Sequence, residues 1–136
     1  MSIVAIRALL ESRLAVITPA LATAFENFPF TPINGTPWQR VNLMAAQPLN
    51  PTMGDGFRRD AGIFQVMLFY PENAGPSAAA LRSELVCAQF DRGLSLTSGS
   101  LRVLVNTSPW ASIGRNDGGW YALPVSIPYV ADVYPT

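Results

Sequence analysis

The segment from Ile63 to Tyr70 constrains the fold more than any other part of this sequence. Its residues are apolar except for Gln65, and aromatic and β-branched types are frequent. Because side chains alternate between the two faces of a strand, a strand with this composition is apolar on both faces. Each face then needs a cover. One cover can be a helix of the same chain, and in a chain of 136 residues the other can be a second subunit.

The alternation also assigns the side chains of this strand to two faces. One face carries Phe64, Val66, Leu68 and Tyr70, and the other carries Ile63, Met67 and Phe69. We expect the strand to be central in its sheet and to be covered by helices on one face.

A helix is predicted directly after this strand. Pro71 ends the strand because it has no N–H to donate, and Pro76 suits the first turn of a helix. From there the apolar residues recur at helical spacing and form one face, flanked by Val86 and Phe90: Ala78, Leu81, Leu85 and Ala88. Gly93 is expected to close the helix in a left-handed conformation.

The N-terminal segment has the pattern of an amphipathic helix. Its apolar residues recur every three or four positions: Ile3, Ile6, Leu10, Leu14, Ile17 and Leu21. Arg7 and Glu11 are spaced to form an i,i+4 ion pair. Pro19 should interrupt the helix, and a short second turn is expected through Phe25.

Two strands with a long connection are predicted in the middle of the chain. Residues 38–45 have the composition of a strand, and it should pair with the strand at Ile63–Tyr70. The segment from Gln47 to Ala61 is rich in Pro and Gly and is interpreted as a long hairpin loop. Structureless loops of about a dozen residues are usually functional or disordered.

The C-terminal third predicts two further strands. Apolar residues between Leu94 and Val105 suggest a strand interrupted near Ser98 and Gly99, and residues 108–119 suggest a loop. From Leu123 to Val133 the apolar residues alternate strictly, which predicts a strand with one buried face. Pro124 and Pro128 lie on its other face, so an edge position or a bulge is expected.

These elements predict one domain spanning residues 1–136. The fold class is α+β, with a mostly antiparallel or mixed β-sheet and two α-helices packed on one face. Hydrophobic residues make up 49% of the chain and charged residues 13%, against about 25% charged residues in typical domains. Because so sparsely charged a surface leaves apolar area uncovered, the composition favours an assembly protein over a free monomer.

Composition also disfavours several classes of function. The chain has no His and a formal net charge of zero, and all its basic residues are Arg. The usual general base, the usual zinc ligand and a Schiff-base lysine are therefore missing. Specific nucleic-acid binding is not expected without a basic excess, and no apolar run is long enough to span a membrane. We find no catalytic, metal or cofactor site, and the single Cys87 fits a buried, unreactive thiol.

Candidate interaction residues lie in the two predicted loops. Phe57 precedes Arg58, Arg59 and Asp60, so a large ring stands beside two guanidinium groups, a combination frequent at interface hot spots. The alternative is a turn whose charges only keep the hairpin soluble. The second loop contains Trp110 and Arg115. Trp110 could contact a partner or fold back on the core.

The order of four motifs resembles the tail terminator family of long-tailed, non-contractile bacteriophages. The motifs are Phe25-Glu-Asn27, Thr36-Pro-Trp-Gln-Arg-Val-Asn42, the strand–helix unit from Ala61 to Gly93, and Trp120-Tyr-Ala-Leu-Pro-Val-Ser-Ile127. Together they cover nearly the whole chain. The resemblance implies the same α+β fold.

The resemblance also implies a function in phage assembly. Such a protein would form a homo-hexameric ring on the head-proximal end of the tail tube, stop tube polymerisation and provide the surface for a head-completion or connector protein. It would be assembled in the host cytoplasm and reside in the virion tail. Two alternatives remain, another neck or tail-completion ring protein and a small-ligand-binding α+β domain.

Overall fold

The structure, a computed structural model, describes residues 2–133 except 19, 28, 34, 47–57 and 74. The side chains of Ser2, Ile3, Arg58 and Asp117 also lie outside the described part. The helices are α1 (Ser2–Ala15) and α2 (Ser77–Gln89). The strands are β1 (Ala22–Ala24), β2 (Trp38–Ala45), β3 (Arg58–Pro71), β4 (Ser95–Ser98), β5 (Leu101–Leu104), β6 (Trp110–Ala111), β7 (Arg115–Asp117) and β8 (Trp120–Val133).

All described strands belong to one mixed sheet in the order β1-β2-β3-β8-β5-β4, with β6 and β7 also paired to β8. Only β1 and β2 are parallel among the paired strands. The longest ladder joins β3 to β8, from Arg58 opposite Val133 to Pro71 opposite Trp120. The predicted α+β fold class and the central position of the Ile63–Tyr70 strand are confirmed.

Both helices pack against one side of the sheet, which we call the inner face. Phe64, Val66 and Leu68 of β3 are fully buried there. The core around them is completed by residues of α1, α2 and β8: Ile6, Leu10, Leu14, Val86, Phe90, Val125 and Ile127. The face assignment derived from alternation in β3 is therefore confirmed, as is the apolar stripe of α1.

Reciprocal hydrogen bonds hold the two helices together at their C-terminal ends. The Arg13 side chain donates to the Gln89 carbonyl at 3.1 Å, and the Gln89 amide donates to the Arg13 carbonyl at 2.9 Å. These contacts satisfy carbonyls that a helix end leaves without an intrahelical donor.

Helix α2 turns a different face toward the sheet from the one that periodicity marks as apolar. Its buried residues are Ala79, Arg82, Ser83 and Val86, followed by the fully buried Phe90. The predicted apolar face points away from the sheet, and its residues are exposed: Ala78, Leu81, Leu85 and Ala88. The physical reason is the contact of Phe90 with Phe64, at a ring-centroid distance of 5.9 Å, which fixes the rotation of the helix.

Strand β8 lies inside the sheet and its register with β3 is one-to-one throughout, so the expected edge position is wrong and that ladder has no bulge. One side of β8 pairs continuously with β3. The other side pairs with three short strands, at residues 120–122, 125–126 and 130–133. Pro124 and Pro128 lie in the gaps between these segments. The missing N–H groups therefore cost no ladder hydrogen bond, and the Pro124 carbonyl still accepts from the Ser112 N–H at 2.8 Å.

Three further segments differ from their predicted structure. The expected helical turn before Phe25 is the strand β1. The expected loop at 108–119 contains β6 and β7, both paired with β8. Strand β3 begins at Arg58, so Arg58, Arg59 and Asp60 belong to the sheet and not to the preceding loop. The rest of that loop, including Phe57, lies outside the described residues.

Candidate interaction surfaces

The side of the sheet opposite the helices, which we call the outer face, is covered at one end by an aromatic cluster. Trp38 stacks on Phe69 with ring centroids 4.0 Å apart and an interplanar angle of 7°. Phe30 and Trp120 contact Trp38 at centroid distances of 5.1 and 6.0 Å. The Arg40 guanidinium lies 4.9 Å from the Phe69 ring centroid, a favourable cation–π distance. This end of the outer face is thus closed by the chain itself.

The centre of the outer face is apolar and only half covered. Register places Met44 beside Ile63 and Ile63 beside Pro128. Met44 is exposed, and the neighbouring apolar residues are half-buried: Ile63, Met67, Leu104, Pro128 and Val130. No described helix packs on this side, since the core contacts of both helices involve the inner face. We call these six residues the outer-face patch.

An ion pair between Arg59 and Asp132 lies at the other end of the outer face, away from the aromatic cluster. Arg59 donates to the two carboxylate oxygens of Asp132 at 2.8 and 3.3 Å. The Asp132 side chain is 3% exposed and that of Arg59 is 44% exposed. Arg59 was predicted as an interaction residue, but its guanidinium pairs with a buried carboxylate. Arg59 therefore contributes primarily to the stability of the folded subunit.

The predicted interaction residues divide between the two faces. Trp110 pairs with Ser126 and Arg115 with Ala122, so both lie on the outer face, where both are exposed. Asp60 pairs with the buried Ala131 and therefore lies on the inner face. Arg59 lies beside Asp132 near the C-terminal end of β8, whereas Arg115 lies beside Ala122 near its N-terminal end. The predicted residues whose side chains the structure describes, Arg59, Asp60, Trp110 and Arg115, therefore do not form one cluster.

Asp60 instead contributes to the surroundings of the buried Tyr129. Burial raises the pKa of the Tyr129 hydroxyl, and the negative charge of Asp60 raises it further, while Arg7 acts in the opposite direction. Tyr129 also lies against Gly62. A Cβ at position 62 would lie 2.5 Å from the Met44 carbonyl oxygen and 2.7 Å from the Tyr129 hydroxyl oxygen, so the strands approach closely here because residue 62 is glycine.

A charged cluster links α1 to β2. Arg7 lies 2.9 Å from Glu26 and 3.8 Å from Glu11, which confirms the predicted Arg7–Glu11 pair. Glu26 also accepts from the Leu43 N–H at 2.6 Å. The hydrogen bond from Arg7, and then that from Leu43, lower the pKa of Glu26. All three charges have partners in this cluster, which therefore serves the fold.

Cys87 is half-buried on α2. Burial raises the pKa of its thiol, and the nearby Glu84 carboxylate raises it further. The thiol is therefore protonated at neutral pH and a poor nucleophile. Within the described ranges, no group of three or more Cys, Asp or Glu side chains is placed to hold a metal ion.

The sequence pattern places the leucines of α2 on a face expected to pack on the sheet, whereas the structure exposes them. The leucines were assigned by spacing to the helix's apolar face, and spacing does not say what covers that face. The outer-face patch includes the second apolar face of β3, which the alternation of apolar residues indicates in the sequence.

Among the described helices, none is long and apolar enough to cross a membrane.

Comparisons with known proteins give consistent results. The family model described as Phage tail terminator protein matches residues 5–129. A solved structure with 30% sequence identity is similar to this fold with a TM-score of 0.82, over 100% of this chain and 99% of that chain. Comparison with curated proteins found no match.

Proposed function

The chain belongs to the phage tail terminator family, and we propose that it forms a hexameric ring on the head-proximal end of the tail tube. It is a phage tail structural protein, and membership of this family places it in the virion among other tail and head proteins. The proposed ring ends polymerisation of the tube and provides the surface on which a head-completion or connector protein docks. The family match over residues 5–129 carries this proposal.

The surface of the subunit supports an assembly role. Apolar side chains are exposed on opposite sides of the molecule, on α2 (Leu81 and Leu85) and on the outer face (Met44). Contiguous exposed apolar area of this kind marks interaction sites in soluble proteins. A ring places such areas in contact with neighbouring copies, and the remaining exposed loops and strands are left for the tube and the head-joining protein.

A phage that lacks this gene tests the proposal. We expect tails of uncontrolled length that do not join heads, because nothing stops addition of tube subunits. Expression of the chain from a plasmid should restore uniform tails and infectivity, measured by electron microscopy and plaque counts. Tails of normal length that fail only in joining heads would favour the alternative, another neck or tail-completion ring protein.

Trp110 and Arg115 are two predicted interaction residues that are exposed on the outer face. We propose that they contact a neighbouring component of the tail. The variant Trp110→Ala with Arg115→Ala should fold normally but restore infectivity at least tenfold less than the wild type in the gene-null phage. Truncation of hot-spot Trp and Arg residues typically costs about 2 kcal/mol or more each.

Ile113 offers a matched control for that variant. It lies between the two residues in sequence and is 92% exposed, so Ile113→Ala removes apolar surface from the same segment. Full infectivity is expected from the control. Equal infectivity from the double variant and the control would remove Trp110 and Arg115 from the proposed contact.

A further inference from the structure

Helix α2 presents its leucines to solvent and its arginine to the protein interior. Leu81 is 63% exposed and Leu85 44% exposed, whereas Arg82 is only 4% exposed. Ala78 and Ala88 extend the exposed apolar strip along the helix, and we call these four residues the α2 stripe. Leucines at such positions bury only part of their apolar surface when the subunit folds, so contact with a partner would bury the rest.

The outer-face patch has the opposite property, a sheet surface without a helix. On the inner face, α1 and α2 cover the sheet with rows of apolar side chains. On the outer face, the patch around Met44, Ile63 and Val130 has the same apolar chemistry but no described element above it. Helix on sheet is the packing that buries such a surface in an α+β fold.

We propose that the α2 stripe of one subunit packs on the outer-face patch of the next copy. This proposal rests on the ring proposed above. The stripe lies on the helical side of the subunit and the patch on the open side of its sheet, so the two surfaces face in opposite directions. A contact between two different surfaces of the same chain is heterologous, and it generates a closed ring when the rotation between copies closes.

Charge is complementary between the two surfaces. Glu84 borders the α2 stripe and is exposed, and among the described residues it forms no ion pair. At the two ends of the outer face, Arg40 and Arg102 are exposed and likewise form no ion pair with a described carboxylate. Asp132, the buried acid of this face, is already neutralised by Arg59. In the proposed contact, the Glu84 carboxylate of one copy therefore faces a surface of the next copy that is bordered by arginines.

Substitution of one residue in each surface tests the contact in the full-length chain. Leu81→Glu places a carboxylate in the α2 stripe and Met44→Glu places one in the outer-face patch. Both sites are exposed, so we expect unchanged melting curves and association weakened on the order of a hundredfold, because the carboxylate is buried without a partner in the contact. Native mass spectrometry and electron microscopy of the purified chain and of isolated tails measure the rings. Val4→Glu is the control, since Val4 is 67% exposed on α1 and its rings should be unaffected.

Mixing the two variants distinguishes this contact from others between the same copies. The Leu81→Glu chain retains an intact outer-face patch, and the Met44→Glu chain retains an intact α2 stripe. Together they should form a one-to-one dimer that grows no further, while each alone remains monomeric. A dimer from the Met44→Glu chain alone would indicate that two α2 stripes pack on each other and would overturn the proposal.

A charge exchange provides an independent test. Glu84→Arg should weaken ring formation, and a second substitution in the same chain, Arg40→Glu or Arg102→Glu, should restore it if that arginine faces Glu84 of the next copy. Failure of both double variants to restore rings would contradict the proposed orientation. Rings from the Leu81→Glu chain would overturn this contact and leave the proposed ring in place. A wild-type chain that forms no ring, in solution or on tails, would overturn the ring itself.

Discussion

Replacing Phe64 by alanine is expected to lower the free energy of unfolding by about 3–5 kcal/mol. Phe64 is fully buried in the middle of β3. Its ring lies 5.9 Å from that of Phe90 at the end of α2, and the core around it includes residues of α1. Removal of the ring leaves a cavity between both helices and the sheet, which the surrounding backbone cannot fill. Urea denaturation followed by circular dichroism measures the change.

Phe25 provides the control for this prediction. Its ring is exposed and lies outside the buried core clusters, so Phe25→Ala removes a side chain of the same size at little cost. Substitutions at such surface sites usually change the free energy of unfolding by less than about 0.5 kcal/mol. Equal destabilisation by the two variants would show that Phe64 does not occupy the centre of the core.

The sequence predicts best the elements whose apolar residues follow a single helical or strand period along one continuous segment. The stripe of α1 and the alternation of β3 both correspond to buried faces in the structure. In each case the pattern is long, and Arg7, Glu11, Arg13 and Gln65, polar residues within the two patterns, are not among the buried residues. The sharp change of period at Ser77 also places the start of α2 correctly, because Pro71 and Pro76 restrict the backbone between the two elements.

Periodicity predicted the wrong buried face for α2, because this segment carries apolar residues on two surfaces. Helix α2 and its C-cap residue carry two apolar strips, one with Leu81 and Leu85 and one with Val86 and the C-cap Phe90. Spacing alone does not decide which strip faces the sheet. The larger leucine strip is the exposed one, and the aromatic ring of Phe90 determines the packing. Apolar spacing in a helix therefore does not distinguish a strip that packs in the core from one that is exposed to solvent.

The role of Arg59 could not be predicted from sequence because its partner is distant. Asp132 is separated from it by 73 positions, and only the register between β3 and β8 brings the two together. In the sequence, Arg59 follows a segment rich in Pro and Gly, which suggests a loop and an exposed charge. A short-range pattern contains no information about such a cross-strand pair.

Arg59→Ala is accordingly expected to destabilise the fold and not only the assembly. The substitution leaves the Asp132 carboxylate, which is 3% exposed, without its donors. Loss of the partner of a buried charged group costs about 1–3 kcal/mol or more, and solvent at the half-exposed guanidinium places the expected loss in the lower part of that range. A variant that removes Arg58 and Arg59 together would therefore report folding as well as contacts between subunits.

A double-mutant cycle separates the two effects. Asp132→Asn removes the buried charge, so Arg59→Ala should cost less in the Asp132→Asn chain than in the wild type, with a coupling of about 0.5–3 kcal/mol. Arg102 is the matched control, because it also lies opposite Asp132, on β5, but is exposed and makes no ion pair with it among the described contacts. Arg102→Ala should change the free energy of unfolding by less than about 0.5 kcal/mol. Additive effects of Arg59→Ala and Asp132→Asn in urea denaturation would contradict the pairing and return Arg59 to the set of residues available for a neighbouring subunit.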